Sequence, residues 1–364
     1  MGIYFLIMMW LIFCSVLFHN EYMRNVCPKG VILKWKWKYC LIASLPILFI
    51  MIFRAYNIGN DTIIYIRHFR YIQQYSFAEI LAGESAVMGR TTMEMGYLLF
   101  EKLLSIICQE DIFYMVVVNV ILIVSVTRFI VRYSENPGLS LYLFFTIGLF
   151  SFMVTGIRQS IAICIGLYAL EQAQERNAIK FICLVLLAMT FHKSAIVLAI
   201  IYFLVNQRLT ILNSFIIFLV SMLGILFFKP LHEFFNERMG YEYEIEETGN
   251  GQIFLFIMII LLVLNLWQYK KNILQNEKMK VLYNMQIVCT LLWILRLISR
   301  TAERPSYYFM FSIIVIIPNT INRCVKRSNR ILLVMMLMVL LGVLFVYRTI
   351  GNPLLSPYRF IWSS

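Results

Sequence analysis

The stretch Ala178-Ile-Lys-Phe-Ile-Cys-Leu-Val-Leu-Leu-Ala-Met-Thr-Phe191-His192-Lys193-Ser194-Ala-Ile-Val-Leu-Ala-Ile-Ile-Tyr-Phe-Leu-Val205 is 28 residues of nearly continuous apolar sequence, and past Lys180 only His192 and Lys193 interrupt it with a basic nitrogen. As one helix it would measure about 42 Å, well past a hydrocarbon core of roughly 30 Å. One crossing would also reverse everything downstream, exporting the lysines at 270–280 and importing Glu242, Glu244, Glu246 and Glu247. Lys and Arg close to span ends resist translocation, whereas acidic residues count for little. Two short helices turning at His192-Lys193 satisfy thickness and charge together, and they put that dipeptide at the outer face.

The rest of the chain agrees with a membrane setting. Hydrophobic residues make up 61% of its 364 positions and charged ones 14%, too apolar for an ordinary soluble globule. Twelve apolar segments stand out: 3–18, 39–53, 112–131, 139–154, 157–170, 178–191, 194–205, 211–228, 253–269, 281–295, 307–321 and 331–347. Several are shorter than the roughly 20 residues of a full crossing, so short, snorkelling or partly re-entrant helices are expected among them. The fold class is thus all-α, a polytopic helical bundle of about twelve spans in one membrane domain covering 1–364. Residues 54–111 form a long outer loop, with Met95 to Cys108 as an interfacial helix, and 229–252 form an acidic outer loop. The first segment has no positive n-region or small-residue cleavage site and reads as a retained span.

Placing the amino terminus outside sends 18 of the 32 basic residues to inside loops, among them Lys34, Lys36, Lys38, Arg128, Arg132, Lys270, Lys271, Arg323 and Arg330. Only 5 of the 19 acidic residues go with them: Glu21, Glu135, Glu171, Glu175 and Glu277. The full formal excess of +13 therefore faces the cytoplasm, and the basic balance reflects topology and anionic lipid, not nucleic acid. Both termini fall outside. Eight cysteines without metal or redox spacing imply neither disulfides nor a metal.

The residues with chemical potential collect on the outer side. In Arg54-Ala-Tyr-Asn-Ile-Gly59-Asn60-Asp61-Thr62-Ile-Ile-Tyr65 an arginine at the boundary precedes a polar turn; snorkelling and helix capping by Asp61 account for it, and so does ligand binding. Thr155-Gly156-Ile157-Arg158-Gln159 opens a new apolar helix, where an arginine needs a wet cavity, a partner or an anion. His192 is either an interfacial turn residue or a proton carrier. In Arg296-Leu-Ile-Ser-Arg300-Thr-Ala-Glu303-Arg304-Pro305-Ser-Tyr307-Tyr308 the three arginines share one face at helical spacing, with a helix end near Arg304 set by Pro305. Guanidinium groups there either grip phosphate oxygens bidentately or are neutralised by Glu303.

Taken in order, Arg54…Gly59-Asn60-Asp61-Thr62…Tyr65, Glu94-Met-Gly-Tyr97, Gly156-Ile157-Arg158-Gln159 followed by Ala162, Phe191-His192-Lys193-Ser194-Ala195 and Pro357-Tyr358-Arg359-Phe360-Ile-Trp362 resemble the EpsG family, which is similar to the Wzy-type polymerases of bacterial surface polysaccharides. The Arg296 to Arg304 run matches less clearly. The resemblance implies a GT-C-like membrane glycosyltransferase of the bacterial cell (inner) membrane that polymerises undecaprenyl-diphosphate-linked oligosaccharide repeats at its outer face, working with flippase and chain-length regulator proteins. Its diphosphate leaving group calls for arginines aimed at developing charge, and Arg54, Arg158, Arg296, Arg300 and Arg304 are the candidates. Asp61 is the first choice for the base and His192 the second. Tyr65, Tyr97, Tyr307 and Tyr308 are expected to face outward and stack on sugars. No nucleotide-sugar site, no cofactor and no metal are called for, and a DxD-type acidic pair is absent. A lipid-linked-oligosaccharide transporter or flippase would spread its charges through the membrane's depth, a glycan ligase would use nearly the same residues, and a structural assembly partner would leave the arginines unexplained.

Cysteine labelling tests the topology. Lys193→Cys is expected to react with a membrane-impermeant maleimide added outside intact cells, and Lys271→Cys only after permeabilisation; the reverse pattern rejects the hairpin.

Overall fold

A computed structural model describes residues 1–18, 29–83, 87–88, 91–205, 207, 251–275, 278–297 and 302–363. Among these the chain is helical: α1 (Gly2–Phe18), α2 (Lys29–Phe53), α3 (Thr62–Ile72), α4 (Phe77–Leu81), α5 (Met95–Ile107), α6 (Asp111–Tyr133), α7 (Pro137–Thr146), α8 (Leu149–Thr155), α9 (Ile157–Gln174), α10 (Ala178–Phe191), α11 (Ala199–Leu204), α12 (Gln252–Gln275), α13 (Met279–Leu295), α14 (Glu303–Met310), α15 (Ile313–Cys324) and α16 (Arg327–Ile350). A two-residue antiparallel ladder pairs Val87 with Thr92 and Met88 with Thr91.

Local chemistry sets the breaks. Asn136 accepts from Leu139 N at 3.1 Å and Pro137 occupies the first turn of α7, where its missing N–H costs nothing. Gly148, at φ 110°, takes a left-handed step that bends α7 against α8 by 55°. Asn177 accepts from Lys180 N at 3.1 Å to start α10. Ser76 and Glu79 close a reciprocal capping box at α4.

Among the described residues three helices are long and apolar enough to cross a membrane, Leu33–Phe53, Asp111–Tyr133 and Ser328–Ile350, and the bent α7–α8 pair makes a fourth if it is one span. Shorter apolar helices stand beside them, including Ala178–Phe191, Lys193–Leu204, Met279–Leu295 and Ile313–Cys324. The expected segment 211–228 and most of the acidic loop lie outside the described residues. Within 54–111, expected as an outer loop, the described residues fold as α3, α4, the ladder and α5.

The 23 residues of α6, about 34 Å of helix, separate two polar ends. At its carboxyl end Arg128 bonds Glu171 at 2.6 Å, Arg132 bonds Glu175 at 3.2 Å, Arg323 Nε bonds Glu135 at 2.7 Å and Lys36 donates to Ser134 O at 2.8 Å. Those are the loops the charge count grouped together. At the other end lie Arg54, Asp61, Arg158 and His192. The stretch 178–205 turns as expected: α10 stops at Phe191, His192 donates its backbone N–H to Ala188 O, a 3-10 turn covers Lys193–Leu198, and α11 returns until Leu204 O meets Asn284 Nδ2 at 2.7 Å.

The carboxyl-terminal segment folds back over the end of α2. Ala55 N donates to Arg359 O at 2.9 Å, Gly59 N to Leu354 O at 2.8 Å, and the Tyr358 hydroxyl to Ile50 O at 2.6 Å. Tyr4 donates to Leu355 O at 2.8 Å, bringing α1 to the same place. Removing residues 354–364 strips these acceptors and uncovers Arg54, so the truncated protein is expected to lose its folded, membrane-accumulated form. Tyr358→Phe deletes one bond and is expected to cost about 1 kcal/mol, read as a small drop in melting temperature in detergent.

Candidate functional site

Arg54 is fully buried. Its guanidinium donates to Met51 O, to Asn119 Oδ1 at 3.4 Å, to Val154 O at 3.2 Å and to Thr62 Oγ1 at 3.5 Å, joining α2, α3, α6 and α8. Burial lowers its pKa to about 10, which still leaves it charged at neutral pH. A side chain with no exposed surface does not meet a ligand, so the structure corrects the expectation for Arg54: it is a structural cation.

Asp61 and His192 both lie within electrostatic reach of Arg158 and Arg304. Asp61 stands at the start of α3 but its side chain caps nothing. Half-buried, its carboxyl is pushed up by burial and pulled back by Arg304 and then Arg158. Arg158 lies in the first turn of α9 and pairs with Glu94, while its guanidinium carbon sits 6.0 Å from the centre of the Tyr65 ring. The second Glu94 oxygen accepts the Lys193 backbone N–H at 3.2 Å. His192 is 4% exposed; its Nδ1 shares a hydrogen bond with Ser194 Oγ at 2.7 Å, and Ser194 Oγ another with Tyr308 OH at 3.1 Å. Burial lowers the imidazole pKa to about 4, with Glu94 opposing the shift and Arg158 and Arg304 adding to it. The ring is neutral at physiological pH.

Glu94 is the residue sequence reasoning passed over as a functional group. It precedes α5, and Gly96 lets α5 press against α10: a Cβ there would stand 2.1 Å from Thr190 Oγ1. A glycine two positions after an acid at the start of an apolar helix was the available signal for that close approach.

Of the arginine run, Arg296 and Arg304 are described. Helix α13 ends at Leu295, and α14 restarts at Glu303 with Pro305 inside its first turn, where proline is tolerated. Arg296 Nε bonds Glu303 at 2.6 Å and the guanidinium carbon lies 5.1 Å from the Trp293 ring centre, matching the neutralised alternative. Arg300 lies outside the described residues. Arg304 offers its carbonyl to Gln159 Nε2 at 2.7 Å, which brings α14 to α9 beside Arg158.

The tyrosines expected to face outward are buried instead. Tyr97 is 0% exposed and shares a hydrogen bond with Tyr114 OH at 2.6 Å. Tyr307 donates to Glu303 at 2.8 Å and stacks on Phe152 with ring centres 3.8 Å apart. Tyr65 packs edge-on against Tyr97. A second buried pair, His68 Nδ1 and Glu101 Oε2 at 2.6 Å, ties α3 to α5. Among the described residues no group of three or more His, Cys, Asp or Glu side chains could hold a metal.

A helical bundle with long apolar helices and ionic residues at both ends, Asp61, Glu94, Arg158 and His192 at one of them, defines a multi-pass membrane protein. The family model for the EpsG family matches residues 37–360, and the chain belongs to that family. No curated protein and no solved structure matches it.

The environment of His192 has a pH consequence. Its folded pKa lies below the unfolded value of about 6.5, so the unfolded chain binds the extra proton. Its contribution to stability is complete above pH 6.5 and is lost as pH falls towards 4. His192→Gln is expected to flatten that part of a melting-temperature profile in detergent; an unchanged slope removes His192 as its source.

Proposed function

We propose that this protein is a membrane glycosyltransferase that polymerises undecaprenyl-diphosphate-linked oligosaccharide repeats into capsular, exo- or O-antigen polysaccharide at the outer face of the bacterial cytoplasmic membrane. Membership of the EpsG family supports a polysaccharide polymerase-type activity. The observation that carries the reading is the meeting of Asp61, Arg158, Arg304 and His192 at one end of the bundle.

The chemistry distributes over those groups. Asp61 takes the proton of an acceptor sugar hydroxyl, whose oxygen bonds to the anomeric carbon of the donor glycan. The bond from that carbon to the diphosphate oxygen breaks, and the polyprenyl diphosphate leaves with the electron pair. Arg158 and Arg304 oppose the charge that grows on it, in a partly desolvated site where fixed charges act strongly. Desolvation raises the proton affinity of Asp61, as a base requires, and the same desolvation lowers that of His192, so His192 is the second choice. Gathering at one end also suits an enzyme better than a transporter, which needs charges at successive depths.

Deletion of the gene followed by glycan analysis tests the reading. Single lipid-linked repeats on the outer leaflet are the expected result; repeats held on the inner leaflet would mean transport. Arg158→Lys keeps the charge but loses the forked geometry, and is expected to lower polymer formation by about 10²-fold or more at normal protein level. Wild-type turnover in that variant takes Arg158 out of the mechanism.

A further inference from the structure

Glu94 makes a contact that the proposed chemistry does not use. Its side chain is 5% exposed, and its two oxygens point to different partners: Oε2 to the Arg158 guanidinium and Oε1 to the Lys193 backbone N–H at 3.2 Å. One carboxylate thus joins the start of α9 to the turn after α10. The Arg158 side chain is itself only 14% exposed. A cation so poorly solvated needs an anion beside it at all times.

A bound diphosphate would supply that anion during turnover, and between turnovers Glu94 does. The two compete for one guanidinium, because a carboxylate and a phosphate both accept from the same fork. When the diphosphate arrives, Glu94 keeps its tie to Lys193 N–H, and the His192 turn stays seated beside the arginine. We infer that Glu94 is a positioning residue that occupies Arg158 in the empty enzyme, is displaced from it by the diphosphate of the lipid-linked donor or product, and holds Arg158 and the His192–Lys193 turn in register. This rests on the proposed diphosphate chemistry.

Competition has a signature that a merely structural glutamate lacks. With Glu94→Gln the amide oxygen still accepts from Lys193 N–H, but the charge that competes for Arg158 is gone. Undecaprenyl diphosphate should therefore bind tighter, while turnover falls because the arginine is no longer aimed. The measurement is binding of undecaprenyl diphosphate to the purified full chain in nanodiscs, alongside kcat for polymer formation. For Glu94→Gln the expected result is about tenfold tighter binding with a kcat lower by about tenfold or more. Equal or weaker binding by folded Glu94→Gln overturns the inference. If Glu94→Gln does not accumulate, Glu94→Ala, which also removes the competing charge, must show the tightening; unchanged or weaker binding overturns it in the same way. Arg158→Gln separates the two layers. Loss of undecaprenyl diphosphate binding in Arg158→Gln without tightening in Glu94→Gln rejects the role of Glu94 alone. Wild-type binding in Arg158→Gln rejects the diphosphate reading and the inference with it.

Discussion

The guanidinium of Arg54 sits where α2, α3, α6 and α8 meet, and its hydrogen bonds run to a residue of each. A hydrogen bond to a charged group is worth about 1.5–3 kcal/mol, so those acceptors tie the four helices to the arginine. The Val154 carbonyl that Arg54 fixes belongs to the last turn of α8, two residues before Gly156, after which α9 begins at Ile157 with Arg158 in its first turn. Thr62, the other side chain it holds across that junction, follows Asp61 directly. The separation between Asp61 and Arg158, the base and the diphosphate-binding arginine of the proposed reaction, is therefore set by a third, buried charge. Residues 354–360 complete the arrangement by covering Arg54 with backbone.

Arginines in this chain divide by what surrounds them, not by where they fall relative to the apolar segments. Arg54 answers to carbonyls, Arg296 to Glu303, and Arg158 to a carboxylate shared with a backbone N–H. Only the last arrangement pairs the cation with a carboxylate that keeps a second partner of its own. Low exposure strengthens each of these interactions, and the same low exposure keeps His192 uncharged beside two arginines.

How much of this was legible depended on whether two independent constraints pointed the same way. The turn at His192-Lys193 was readable because membrane thickness and charge parity each demanded it. The start of α9 near Arg158 was readable from the Gly156 break between two apolar runs. Arg54 was not, since an arginine that snorkels and one that buries among carbonyls have the same sequence context. Of the 296, 300, 304 spacing the structure describes only the flanks, a helix that ends at Leu295 and another that begins at Glu303. Glu94 lies 64 positions from Arg158, and no local pattern reports such a pairing.

Helix α10 has 14 residues, about 21 Å of rise, and its flank is open: Ile179, Ile182, Leu186 and Leu187 are 47–77% exposed. Lipid against that flank meets an apolar wall shorter than its own hydrocarbon thickness, and the leaflets accommodate by drawing together. The dimple falls beside the turn that carries His192. Under the proposed function, the headgroup of a lipid-linked donor would meet that dimple beside Arg158 while its tail stayed among acyl chains, so the shortness of one helix would give an amphiphilic substrate its ramp.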